Sequence, residues 1–214
     1  MPAPRVAVLD YDAGNLRSAQ KALVRAGADA VVTRDPDEAA RADALVVPGV
    51  GHFGACVRRF VAAGLSDLVH GWVAAGRPLL GICVGMQILY PSSEEDPDAV
   101  GIGLLPGAVR RLPDDVVVPH MGWNTVIAVR GDPVLDGVAG EQAYFVHSYY
   151  ADPADDAHVV AVCDYGPGFP AVVRVGSVVA TQFHPEKSGD VGARLLANWV
   201  TEVAASRAPV GARP

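Results

Sequence analysis

Short, continuous apolar runs recur through the first ninety residues, and each is followed by a stretch whose apolar positions lie three and four apart. RVAVLD (5–10) predicts a strand. Residues 15–26 follow with Leu16, Ala19, Leu23 and Ala26 on one helical face, and Gly27 supplies a helix stop. The same alternation predicts strands at 30–33, 44–47 and 78–82, a brief helix at 37–42, helices at 54–63 and 66–75, and a helix at 84–90. Strands that are apolar throughout, rather than apolar at every second position, are buried on both faces, which implies a parallel sheet with helices on each side.

The second half changes character. Residues 116–118, 125–130, 144–146, 159–163, 171–175 and 178–182 are β-rich and separated by Gly, Pro and Asp, and a last helix is predicted at 191–205. These strands suggest antiparallel additions to a mostly parallel α/β core. No internal repeat or linker interrupts the chain, so one domain is expected over 1–205. The end, SRAPVGARP (206–214), has no periodicity and is expected to fray.

Composition narrows the function. The chain has 214 residues, 50% hydrophobic and 19% charged, enough for one substantial core. A net charge of −7 argues against a general nucleic-acid surface, and the longest basic clusters, Arg58-Arg59 and Arg110-Arg111, read as solvated edges of ordinary elements. The N-terminal residues do not have the pattern of a secretory signal, and no apolar run approaches the roughly 18–20 residues of a membrane span. A soluble cytoplasmic protein is expected. Three cysteines with no CxxC pair fit neither a disulfide framework nor a zinc site. Cys56 and Cys163 read as small core residues.

The third cysteine is different. In GICVG (81–85) it stands where a buried strand passes into a helix, between two glycines that permit a strained turn, as in the Gly-x-Ser-x-Gly elbow of hydrolases. A helix N-terminus and a neighbouring imidazolium would favour the nucleophilic thiolate. His184 in TQFHPEKS ends the last strand, and in an extended segment Glu186 points to the same side and can hold its tautomer. PGVGHFG (48–54) contains a literal Gly-x-Gly-x-x-Gly, but it follows the third strand and position 74 is alanine, so it does not read as a dinucleotide site. Its glycines better suit a main-chain N–H turned toward an oxyanion, with the amide of Val84 as the second donor. Taken singly, the elbow also reads as a buried cysteine at a strand end and HPE as a loop fragment; together they make a nucleophile, a base and an orienting acid.

GxCxG, PGxG and HPE, in that order, resemble the class I (triad) glutamine amidotransferases. DYDAGNL (10–16), PHMGWN (119–124), the SSEE loop (92–95) and YFVHSYY (144–150) resemble, within that family, the glutaminase subunits that feed ammonia to a cyclase of histidine biosynthesis. The resemblance implies a three-layer fold and a cofactor-free enzyme. It makes Cys83 the nucleophile toward the glutamine carboxamide, His184 the proton carrier and Glu186 its orienting partner. It further implies that Val50 or Gly51 with Val84 binds the oxyanion, that Asn15 braces that loop, and that Gln87, Ser148 and Tyr149 hold the substrate's amino-acid end. The implied partner is a (βα)8-barrel cyclase, and since such a barrel needs about 250 residues it would be a separate chain, giving a heterodimer. Trp123, Asn124, Tyr144 and Lys187 match positions of the family's docking and gating surface, with Lys187 facing away from Glu186 toward an intersubunit ion pair. Asp12, where the family commonly has glycine, and Val84, where leucine is more frequent, depart from the pattern and bear on the oxyanion loop. His120 and His147 read as packing or hydrogen-bonding residues rather than metal ligands. Two alternatives stay open: a glutaminase subunit of another synthase, such as pyridoxal phosphate synthase, and a cysteine hydrolase or binding protein on the same fold.

Overall fold

The computed structural model describes residues 2–207. Its first half runs β1 (Arg5–Leu9), α1 (Leu16–Arg25), β2 (Asp29–Thr33), α2 (Pro36–Ala40), β3 (Ala44–Gly49), α3 (Phe53–Ala62), α4 (Leu65–Ala74), β4 (Leu79–Cys83) and the single turn α5 (Val84–Gln87). The second half adds β5 (Gly107–Arg111), β6 (His120–Thr125), β7 (Ile127–Ala128), β8 (Gln142–His147), β9 (Tyr149–Pro153), β10 (Val159–Cys163), β11 (Phe169–Val175), β12 (Val178–Thr181) and α6 (Gly189–Ser206).

Eight strands form one sheet in the order β2-β1-β3-β4-β12-β11-β10-β7. The first five neighbours are parallel, and β11, β10 and β7 continue the sheet antiparallel. The parallel core and its antiparallel extension therefore follow the pattern read from the apolar runs. The central strands β3, β4 and β12 are buried at every residue. α1 packs on α6, while α3 packs on α4. Burying both sheet faces removes the apolar side chains of every central strand from water, at about 25 cal/mol per Å² of apolar surface.

Where strand and helix limits differ from expectation, hydrogen bonding gives the reason. The helix expected over 84–90 is regular only to Gln87. Pro91 has no N–H to return to the Gln87 carbonyl, and the carbonyls of Ile88 and Leu89 accept instead from the amides of Ile102 and Leu105. Residues 116–118 are not a strand but a surface loop: Val117 is 77% exposed and its carbonyl accepts from the Tyr165 hydroxyl. Three strands lay outside the expected set. β5 carries Gly107 and two arginines and gains its place by pairing with β9, itself unforeseen, while β6 lies in the stretch 119–124 and pairs along its length with β8. Ser206, where a frayed tail is expected to begin, is the last residue of α6, and Arg207 pairs with Asp43. Residues 208–214 of that tail lie outside the described residues.

Glycine sets how closely β3 and β4 end together. A Cβ on Gly85 would lie 1.9 Å from the Val47 carbonyl oxygen, and one on Gly49 would lie 2.2 Å from the Gly85 nitrogen. Both obstacles are backbone atoms, which cannot rotate away. Gly85→Ala should therefore destabilise the fold by roughly 3 kcal/mol or more, the range of severe overpacking, read as a lowered urea midpoint. A wild-type midpoint would show that the two strand ends can part without cost.

Candidate active site

The C-terminal ends of β3 and β4 and the segment after β12 meet at one edge of the sheet, where open α/β sheets place their ligand crevices. A cavity of about 450 Å³ lies there. Of the residues singled out from the sequence, Asn15, Val50, Gly51, Cys83, Val84, Gln87, His147, Ser148, Tyr149, His184 and Lys187 all line it. Glu186 sits behind His184, and Trp123, Asn124 and Tyr144 lie outside.

Cys83 is the last residue of β4 and the N-cap of α5, with φ 54° and ψ −115°. Apart from Asp12 it is the one non-glycine with positive φ among the described residues. That conformation costs on the order of 1–3 kcal/mol and persists where the surroundings enforce it. Here the enforcing contact is the Gly49–Gly85 approach, with Gly81 on the other side, where a Cβ would meet the Met86 Cα at 3.0 Å. The thiol is 3% exposed and opens only into the cavity.

His184 and Glu186 are brought together by a tight 3-10 turn, Pro185–Lys187, rather than by the extended segment expected from sequence. Nδ1 of His184 bonds Glu186 Oε1 at 2.9 Å, and both side chains are only 2% exposed. Because a carboxylate only accepts, Nδ1 carries a proton and Nε2 is the nitrogen free to exchange one. Nε2 is buried without a hydrogen bond. Burial lowers the basicity of the imidazole, but the neighbouring Cys83 sulfur and the hydrogen-bonded Glu186 carboxylate outweigh it and raise its pKa to about 9.

Ser188, not singled out from the sequence, anchors this turn. Its hydroxyl donates to the His184 carbonyl at 2.7 Å and accepts the Tyr144 amide at 2.9 Å, while the His184 amide donates to the Tyr144 carbonyl. Gln182 was also missed: its amide Nε2 lies 3.8 Å from the Cys83 sulfur. A polar glutamine closing an apolar strand two positions before the candidate base was the available signal for Gln182.

The loop after β3 is held from three sides. The Tyr11 hydroxyl donates to the Pro48 carbonyl, the Cys56 thiol donates to the Val50 carbonyl at 3.3 Å, and Glu95 accepts the Phe53 amide at 2.6 Å. Thus the SSEE loop caps α3, whose N-terminus follows Gly51 at φ 93°. Cys56 is more than a core filler, though burial pushes its thiol up to about 11 and keeps it protonated; burial likewise pushes Cys163 up to about 12. Asn15 lines the cavity, but among the described residues its side chain makes no hydrogen bond to the loop; the brace is Tyr11. Asp12 occupies its left-handed conformation, φ 60°, with its carboxylate on Arg34 and its carbonyl on Arg59, which explains how a non-glycine is tolerated there.

Beside the cavity, β6 presents two faces. Met121, 64% exposed, and Trp123, 54% exposed, point outward. Trp123 meets Tyr144 edge-on with ring centroids 6.1 Å apart, and Lys187 Nζ lies 5.9 Å from the Tyr144 ring. Asn124 does not join that patch: its Nδ2 faces His120 Nε2 at 3.4 Å and its Oδ1 accepts the Thr125 amide. His120 and His147 bond each other, Nδ1 to Nε2, at 3.1 Å.

The profile of the glutamine amidotransferase class-I family matches residues 7–203. The chain belongs to that family. Within it, the chain is similar to imidazole glycerol phosphate synthase subunit HisH of Methanothermobacter thermautotrophicus, 48% identical over 195 residues, 91% of this chain and 97% of the relative. The corresponding HisH of Halobacterium salinarum is 50% identical over 202 residues, 91% of this chain and 92% of the relative. A solved structure described as a glutamine amidotransferase superposes with a TM-score of 0.74 at 25% identity, covering 94% of this chain and 98% of that one.

Replacing Cys83 by alanine removes the sulfur's contribution and leaves the burial penalty on His184. In Cys83→Ala the His184 pKa should fall from about 9 toward or below its ordinary 6.5, followed by NMR titration of the ring. An unchanged titration would show that Glu186 alone holds the proton.

Proposed function

We propose that the chain is the glutaminase subunit of imidazole glycerol phosphate synthase, hydrolysing glutamine to glutamate and ammonia for a cyclase partner in histidine biosynthesis. What carries this reading is the arrangement of Cys83, His184 and Glu186 on one sheet edge in a chain about half identical to HisH subunits over nine-tenths of its length.

The chemistry follows from the geometry. The Cys83 thiolate attacks the carboxamide carbon, and the developing oxyanion is met by the amide of Val84 at the start of α5 and by a backbone N–H of the 50–51 loop. The tetrahedral species collapses as His184 Nε2 gives its proton to the leaving nitrogen, so ammonia departs and a glutamyl thioester remains on Cys83. His184, now neutral, takes a proton from water as it attacks the thioester, releasing glutamate and the thiolate. Glu186 keeps Nδ1 protonated throughout and stabilises the imidazolium. Gln87, Ser148 and Tyr149 hold the amino-acid end of the substrate.

Ammonia released to bulk water would be protonated and lost as a nucleophile, so a partner must receive it directly. The outward patch of Met121, Trp123, Tyr144 and Lys187 beside the cavity is the surface we assign to a separate (βα)8-barrel cyclase. Its apolar centre and single lysine suit an anchor with one ion pair. The three free thiols fit a reducing cytoplasm.

The test mixes the chain with glutamine, with and without such a cyclase and its nucleotide substrate, and measures glutamate. Slow release alone and a large rise in the complex are expected. Cys83→Ala should abolish glutamine-dependent synthesis and leave ammonia-driven synthesis by the partner intact. Equal release with and without the cyclase would refute this assignment in favour of another glutaminase, and no release in either would favour a binding protein.

A further inference from the structure

Behind the substrate side of the cavity lies a hydrogen-bond chain whose direction is fixed at every link. The carbonyl of Tyr149 only accepts, so the His147 nitrogen 3.0 Å away, Nδ1, carries the proton. His147 is buried and its basicity is pushed far down by burial, with His120 and His184 adding like charge, so the ring is neutral and Nε2 is an acceptor. Nδ1 of His120, 3.1 Å away, must then donate. Burial also lowers the basicity of His120, which leaves its Nε2 to accept from Asn124 Nδ2. Protonating either ring would set N–H against N–H. The order is therefore Asn124 to His120 to His147 to the Tyr149 carbonyl.

That carbonyl has a second donor. Gln87 Nε2 reaches it at 2.8 Å and also bonds Gln182 Oε1 at 3.2 Å. With both amide protons engaged, the atom Gln87 has left for a ligand is the acceptor Oε1, which suits an ammonium group. The chain thus determines which end of the Gln87 amide the cavity meets. His120 is itself held by stacking on Tyr165, ring centroids 4.0 Å apart at 23°.

We propose that His120 and His147 are positioning residues for substrate: their directional bonds fix the Tyr149 carbonyl, and through it orient Gln87 so that its oxygen receives the α-ammonium of glutamine. The inference rests on the glutaminase reading and adds to it two residues, of which His147 forms part of the cavity wall next to Ser148 and Tyr149.

His120→Phe keeps an aromatic ring against Tyr165 but removes the donor to His147, whereas His120→Asn restores a donor where Nδ1 stood. Assayed in the complex with cyclase and nucleotide, His120→Phe should raise the KM for glutamine about tenfold with kcat within about threefold, and His120→Asn should recover most of that loss. The analogue lacking the α-ammonium, glutaramate, separates orientation from general damage. Its kcat/KM should be the same in wild type and His120→Phe, while collapse of the pocket would lower both substrates alike. An unshifted glutamine KM in His120→Phe, or equal losses for glutamine and glutaramate, overturns the proposal while leaving the glutaminase reading intact. A wild-type complex that releases no glutamate overturns both.

Discussion

The backbone contact between the ends of β3 and β4 is the constraint on which the site depends. Gly49 and Gly85 approach so closely that neither tolerates a Cβ, and this approach forces β4 to turn sharply at Cys83. A strained φ of 54° is the cost, and it is met by the burial of the strands on either side. The same contact brings the loop after β3 alongside the first amides of α5. Cys83 and the amides proposed as oxyanion donors are thereby positioned by one packing event rather than by separate loops.

A second constraint holds the base. His184 leaves the sheet just beyond β12, which lies parallel to β4 and in register with it, so the two strands carry base and nucleophile to the same edge. The turn that follows is tied down through Ser188 and the backbone of Tyr144. Because β8 also pairs with β6, the exposed Trp123 face and His184 are linked through two strands within one hydrogen-bonded unit.

The parallel half of the fold was legible because its strands carry continuous apolar runs and α1 and α3 each carry an apolar face. Cys83, His184 and Glu186 were legible as candidates for another reason: GICVG and HPE are local, and their residue types suggest the chemistry proposed for them. What sequence did not disclose depends on distant pairing. β5 has no pattern of its own and exists because β9 lies opposite. The pairing of Asn124 with His120 turns it inward, away from the docking patch to which family resemblance assigned it. Tyr11, Glu95 and Ser188 each hydrogen-bond a backbone group far away in sequence, 37, 42 and 44 residues off, which no periodicity encodes. The 3-10 turn at 185–187 likewise meets the His184–Glu186 requirement by a route that extended spacing does not suggest.

The central claim is that Cys83, alone of three buried thiols, is the nucleophile because the elbow presents it to a histidine already poised to hold its proton. A glutamine analogue carrying an electrophilic ketone in place of the carboxamide tests this directly, with peptide mass spectrometry locating the adduct. The account requires one adduct per chain, on Cys83, formed far more slowly in His184→Ala. An adduct on Cys56 or Cys163, or labelling of Cys83 at the same rate without His184, would contradict it.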